Sequence, residues 1–482
     1  MRGARWLLLA AIVAILGSVA VTYQRQRREV ETQAPAKPAP LPEKVQGTMA
    51  DWHWKKSTPG RTEVEIWAKQ FRAEPDEFQL EGVRLHIFQK DGGQYHRFES
   101  ASAVFNPSQD QIFSEGAVTI TLGVPIKGEA KRQLVSIRTS GVTFEGKRGL
   151  ASTDRVAEFV FENGTGKSTG AAYDVNSREL QMRGNVALNW KAPGRKAMHL
   201  EAGALIYREA VSHIFLFPWA KLQRDNGSLT GGDTLVHLNE GVIQTIETQK
   251  ASGADRYPRR EVEYAADRLT VNFNDSGEAE KIIGEGQARL VSTSETARTT
   301  MTSDRVDLDF ETADGEQALK TAIARGHGVV ETAPLPGKTA DPPPQTRVLH
   351  SEVIEMQMRP GGREISTVAT HTPGRIEFLA GRPGQRRREM KGDRLGITYG
   401  ARNVIQSFRA VEAETRTDPP SGQPKAAPSQ TWSKNLVAEF DAKGQMARME
   451  QWDDFRYQEG ARRATAAKAT LDSAANRILL ET

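Results

Sequence analysis

The stretch Ala171-Ala172-Tyr173-Asp174-Val175-Asn176-Ser177-Arg178-Glu179-Leu180-Gln181-Met182-Arg183-Gly184-Asn185-Val186-Ala187-Leu188-Asn189-Trp190 decides how the chain is read. A first extended run stops at Asn176-Ser177-Arg178, which has turn composition. A second run, residues 180–184, ends in glycine, and a third sets Val186, Leu188 and Trp190 on one face. Apolar residues at a period of two mark a half-buried strand. The same unit occupies residues 100–122, with a turn at 106–110, a run ending at Gly116, and Val118 and Ile120 alternating after it. Further copies pair residues 265–273 with 282–286 and 303–310 with 322–326, and degenerate ones begin at Ser351, Gly392, Asn435 and Ala464.

Working outward, the punctuating residues Gly82, Gly116, Gly184, Pro218, Gly286 and Gly326 are separated by 34, 68, 34, 68 and 40 residues. Each gap of 68 is twice 34, so roughly ten units of about 34–46 residues fill the chain. Helical periodicity is missing after residue 30, which predicts an all-β body. A strand-only unit of this size cannot bury its apolar face alone, so neighbours must stack. Glycine at a fixed place after a strand predicts a bend or bulge where the chain passes from one sheet to another. The Pro-rich stretches 334–344 and 415–430 read as excursions on one continuous stack, with domain linkers as the alternative. Ten units give a stack of roughly 50 Å, or about twice that if both strands of a unit enter the same sheet.

The 482 residues carry 65 Lys+Arg and 61 Asp+Glu. Arg2, Arg5, Arg25, Arg27 and Arg28 account for the basic surplus, since residues 1–28 contain no acid. The remainder is nearly balanced and offers no electrostatic footprint for nucleic acid. The absence of cysteine excludes disulfide scaffolds and thiolate chemistry. The run Trp6 to Val21 has no charge and is flanked by arginines. At 16 residues it is near the short limit for a membrane span. It reads as an uncleaved anchor, with a cleavable signal peptide as the alternative. Residues 29–47, rich in Ala and Pro, read as an extended spacer.

The unit at residues 171–188 resembles the repeat of OstA-like lipopolysaccharide transport proteins. The opening, from Ile66-Trp67-Ala68 through Leu80-Glu81-Gly82-Val83 to Glu115-Gly116-Ala117-Val118, resembles the membrane-anchored LptC branch of that LptA/LptC family. The resemblance is good over residues 1–190 and weaker but recurrent to the end. It implies an open β-jellyroll, anchored in the inner membrane with its body in the periplasm. It also implies partners: lipopolysaccharide or a related glycolipid, an inner-membrane ABC transporter, and bridge proteins joined edge to edge near Trp67 and Leu479. On this reading residues 1–28 are the anchor and 29–47 the spacer. An LptC-like jellyroll covers 48–195, OstA-like repeats 196–333, a Pro-rich loop or linker 334–346, and degenerate repeats 347–482.

The inward series Val83, Leu85, Ile87, Ala103, Phe105, Val118, Ile120, Tyr173, Val186 and Leu188 are the candidates for a lipid-binding trough. In a closed sandwich the same residues are simply core, and the pattern nominates the face without deciding between the two. No nucleophile, base and oxyanion donor form a recognisable constellation, so no catalytic residue, metal or cofactor is expected. Asp307, Asp309, Asp453 and Asp454 are expected on the solvated face. The run Arg386-Arg387-Arg388 is expected in a solvated loop, and Trp52 and Trp54 as caps on the first strands. His86 and His96 lack a third ligand for a metal. The competing reading is an envelope β-repeat scaffold that binds no lipid.

Overall fold

The computed structural model describes residues 48–482 except 91–92, 131–133, 192–195, 225–226, 258–259, 314–315, 336–344, 382–384, 421–425, 443 and 473–476. The expected anchor and spacer lie outside the described residues. Among the described residues no helix is long and apolar enough to cross a membrane.

The described residues form 29 strands and two single-turn 3-10 helices. Every strand runs antiparallel to its neighbours, from Thr48–Thr58 at one end to Arg477–Glu481 at the other, in one continuous meander. Most strands are long, and they bend at the middle. In Gln111–Pro125 the inward residues Ile112 and Ser114 are separated from Val118 and Ile120 by exposed Glu115, Gly116 and Ala117. In Leu150–Phe161, exposed Asp154, Arg155 and Val156 divide Ala151 and Thr153 from Ala157 and Phe159. In His213–Arg224 the exposed trio is Phe217, Pro218 and Trp219. Each of these long strands therefore crosses both layers of a folded sheet, and the exposed residues at their bends line up as a crease along the stack.

The pairing breaks where the crease passes. Register shifts fall between Ser114 and Ala117, Thr153 and Val156, Glu285 and Ala288, and Thr302 and Arg305. Four rungs are cut in two there; for example Glu179–Met182 and Val186–Trp190 both pair with Gly164–Asp174 and with Met198–Arg208. The glycines of the repeat accordingly stand within rungs rather than at strand ends. Gly286 and Gly326 take φ of +74° and +77°. A Cβ at either would sit 2.5 Å from a carboxylate oxygen, of Asp267 and Asp304 respectively.

Breaking a ladder inside the protein leaves carbonyls without N–H partners, and buried hydroxyls fill the gap. Ser114 Oγ donates to the Ser102 carbonyl at 2.9 Å, Thr153 Oγ1 to Ser140 at 2.7 Å and Ser168 Oγ to Gly170 at 2.9 Å. Farther along, Thr234 Oγ1 donates to Gly232 at 3.1 Å, Ser303 Oγ to Arg305 at 2.6 Å and Ser433 Oγ to Asn435 at 3.0 Å. All six side chains are buried. They form a spine of hydroxyls on the inner side of the crease.

The core between the layers is one contiguous cluster from Val64 to Ala438. Across both Pro-rich stretches the flanking strands pair directly, Thr332 with Arg347 and Thr417 with Ser429. With about 25 rungs at ~4.8 Å each, the stack is on the order of 120 Å long, closer to the larger of the two expected lengths. One expected edge is corrected: Trp67 is covered by Thr48–Thr58, which itself forms that end of the sheet. Trp52 stacks on Phe71 at 5.0 Å and Trp54 lies 5.1 Å from Phe105.

Two substitutions test the crease. Ser303→Ala strands the Arg305 carbonyl and is expected to cost about 1–3 kcal/mol. Gly286→Ala meets both the positive φ and the Asp267 side chain, with an expected loss of at least about 1 kcal/mol. Urea unfolding midpoints of the two variants check this; a solvent-facing control such as Thr270→Ala should stay within roughly 0.5 kcal/mol of wild type.

Candidate functional site: the mouth of the folded sheet

Because every rung spans both layers, the hairpin turns fall alternately on two free edges that face each other opposite the crease. The turns after Thr58, Phe88, Phe161 and Arg224 lie on one edge, and those after Ala73, Asn106, Asp174 and Arg208 on the other. The gap between these edges is the mouth of the apolar interior.

All ten trough candidates point into that interior. Val83, Leu85, Ile87, Ala103, Phe105, Val118, Ile120, Val186 and Leu188 belong to the common core, and Tyr173 is buried beside it. The structure brings them together as one packed face. Two voids among them measure about 20 and 30 Å³, the size of one water molecule.

Above this packed section the mouth is latched by polar contacts between the two edges. Arg178 Nη2 donates to Gln89 Oε1 at 2.8 Å, and Gln89 Nε2 lies 3.1 Å from His96 Nε2. The Tyr173 hydroxyl sits 3.4 Å from that same nitrogen, while the Gly123 N–H donates to His96 Nδ1 at 3.2 Å. The Gly123 N–H thus engages one ring nitrogen of His96, while the Gln89 amide and the Tyr173 hydroxyl meet at the other. Burial pushes the Tyr173 phenol well above its ordinary pKa, so it remains a neutral hydroxyl. Lys56 Nζ reaches Asp110 at 2.6 Å across the same gap. Alternation placed Tyr173 on the inner face, but it could not show which residues meet it from the opposite edge.

Farther along, Arg224 spans the mouth to the Gly277 carbonyl at 2.7 Å and to Glu278 at 2.9 Å, and Arg260 spans it to the Gly362 carbonyl. Beside Arg260 the edges part around a cavity of about 320 Å³. Leu290, Met301, Leu319, Met356, Met358 and Ile365 line it. The sequence pattern does not single out these residues, because Met356 and Met358 fall in a degenerate copy of the unit. The available signal was two adjacent inward positions both held by flexible methionine, a residue that fills irregular space. Burial raises the Asp255 carboxyl to about 6, against the lowering effect of nearby Arg260.

The outer face differs in part from expectation. Asp307 is buried, because Arg305 (2.9 Å) and Arg325 (3.1 Å) close over it. Asp309 pairs with Lys281 at 3.5 Å, and Asp453 and Asp454 are exposed. Arg387 is ion-paired to Glu377, and Arg388 opens the strand Arg388–Gly392, so this run is tied into the sheet rather than a free loop. His86 faces outward against Trp67 and Tyr95, with ring centroids at 4.6 and 4.3 Å. Burial and the neighbouring Arg84 bring its pKa down to about 4. His96 faces inward, so the two histidines do not meet; among the described residues no cluster could hold a metal ion.

Residues 8–191 match the model of a family described as lipopolysaccharide-assembly, LptC-related. The match takes in most of the apolar run Trp6 to Val21 and ends at the strand Val186–Trp190. No curated protein matches the chain.

Asp255 gives a pH prediction. Its folded pKa, about 6, exceeds the ordinary 3.8, so its contribution to stability is full below the unfolded value and is lost as pH rises through the folded one. Asp255→Asn removes that loss. The variant is expected to raise the urea midpoint at pH 7.5 by more than at pH 4; an equal change at both pH values would contradict the assignment.

Proposed function

We propose, from the premise that residues 8–191 are an LptC-related module of lipopolysaccharide assembly, that the whole chain is a bridge protein carrying lipid between membranes. In this reading residues 1–28 anchor it in the inner membrane and residues 29–47 hold the body away from the bilayer. The body stands in the periplasm and receives lipid from an ABC transporter partner, whose ATPase supplies the energy. Lipid acyl chains then travel between the two layers toward the outer membrane. Among the described residues the strand Arg477–Glu481 pairs with one neighbour, and all five of its residues are exposed. It is suited to accept a strand from a neighbouring bridge protein.

The observation that carries this reading is the single apolar core that runs from Val64 to Ala438 behind one mouth. Each buried CH₂ contributes about 0.8 kcal/mol, so an acyl chain needs no polar contact to be held in such a space. The repeats beyond residue 191 continue the same crease, core and mouth, so one chain takes the length that several single-jellyroll subunits would supply. A second reading, a closed scaffold, draws on the tight packing around Leu85 and Leu188. The two readings differ in whether the latch between Arg178, Gln89, His96 and Tyr173 opens.

A photo-crosslinking residue at Leu188, in the full chain expressed in an envelope-bearing host, tests this. The expected adduct has the mass of a lipid A species, and Arg178→Ala, which loosens the latch, is expected to raise its yield. Leu188→Asp puts a charge in the apolar path and is expected to cut lipid loading at least about tenfold while β content is retained. No adduct at Leu188 or Leu85, in protein of normal β content, leaves the scaffold.

A further inference from the structure

The cavity beside Arg260 differs in charge from the rest of the protein. Among the described residues its lining holds four arginines, Arg260, Arg347, Arg363 and Arg402, and no carboxylate. In a body whose acids and bases nearly balance, a one-sided set of this kind calls for a partner of opposite sign. The open groove along the crease near Gly392 offers a contrast: Glu352, Asp393, Glu412 and Glu414 line it together with Arg375 and Lys391.

The four arginines are not equivalent. Arg260 is engaged with the Gly362 carbonyl across the mouth. Arg347 leans its guanidinium over the Tyr399 ring at 5.9 Å, and its buried Nε has no hydrogen-bond partner among the described residues. Tyr399 is fixed from behind, since its carbonyl accepts from Arg359 Nη2 at 2.7 Å. Arg363 and Arg402 stand exposed on the facing edge. The nearby Glu364 accepts the Arg402 backbone N–H at 2.8 Å, which leaves the Arg402 guanidinium clear of that bond. The arginine forks thus ring the rim, while Leu290, Met301 and Met356 line the floor. A guanidinium fork matches the oxygens of a phosphate or carboxylate.

We infer that this cavity is a station for an anionic amphiphile: one acyl chain lies against Met301 and Met356, and a phosphate-class head is held by Arg347, Arg363 and Arg402. The inference rests on the reading that the interior carries acyl chains, and it adds a fixed place and a head-group chemistry outside residues 8–191. At about 30 Å³ per water-sized group, the cavity accommodates roughly ten chain carbons. That is one chain and not a bundle, so a multi-chain lipid would seat a single chain here.

The test uses the full chain and two probes with the same tail, dodecyl phosphate and dodecyl maltoside, titrated calorimetrically below their micelle concentrations. Dodecyl phosphate is expected to bind more tightly. The exposed double variant Arg363→Gln/Arg402→Gln is expected to weaken dodecyl phosphate roughly tenfold and leave dodecyl maltoside unchanged. Met356→Trp, which fills the floor, is expected to weaken both. Inorganic phosphate alone is expected to bind far more weakly than dodecyl phosphate; equal binding of the two would mean the tail does not enter and would overturn the inference. Equal affinity for the two dodecyl probes, unmoved by the arginine variant, would overturn it as well. Either failure, alongside a lipid adduct at Leu188, removes this station and leaves the bridge reading in place. Success here without an adduct at Leu188 separates the two in the opposite sense.

Discussion

A β-strand can cross from one layer of a folded sheet to the next only by interrupting its own hydrogen-bond ladder. Everything else in this protein depends on how that interruption is met. A run of one to three exposed residues takes a long strand around the corner, and left-handed positions such as Gly286 and Gly326 absorb the turn. Buried hydroxyls, from Ser114 through Ser303 to Ser433, satisfy the carbonyls set loose. Left bare in a dry interior, each carbonyl would cost on the order of a hydrogen bond's desolvation. With them satisfied, the crease can be repeated rung after rung.

Repetition then sets the form. Because every rung contributes to both layers, the two layers extend together, and the apolar cluster between them has no internal wall from Val64 to Ala438. The same connectivity places all the hairpin turns on two facing edges, so the interior has a single long mouth. The mouth is not uniform. Over residues 89–178 it is tied by a buried network around His96, whereas near Met301 and Met356 the edges stand apart behind a rim of arginines. A reading as a lipid bridge uses both properties: an unbroken apolar path, and places along it where entry differs.

The chain showed its strands and its period openly, and the reason is elementary. Alternation at period two follows from the pleat, and the glycines recur because a left-handed bend recurs. The meaning of those glycines was harder to read. Gly116 looks like the end of a strand because the runs on both sides alternate, yet Gln111–Pro125 passes straight through it. Ser100 and Ser303 open units in the sequence, but a carbonyl in need of a donor becomes visible only when the corner is built. Asp307 went astray for a similar reason: alternation assigns a face, and only Arg305 and Arg325 decide whether that face is wet. The candidate trough residues were legible as an inner face, whereas the latch and the cavity were not. Arg178 and Gln89, or Arg260 and Gly362, are far apart in the chain and meet only across the mouth.

The hydroxyl spine also bears on motion. The ladder bonds run from rung to rung, along the stack, and among the described residues the ties between one layer and the other are mainly the polar contacts at the mouth. On the bridge reading, loading is a swing of the two layers about the crease, like the covers of a book. Such a swing breaks apolar contacts and a handful of latches while leaving the β-ladder whole. The interior is then an adjustable volume hung on a fixed line, so the cavities seen at rest set a lower bound on what the protein can contain.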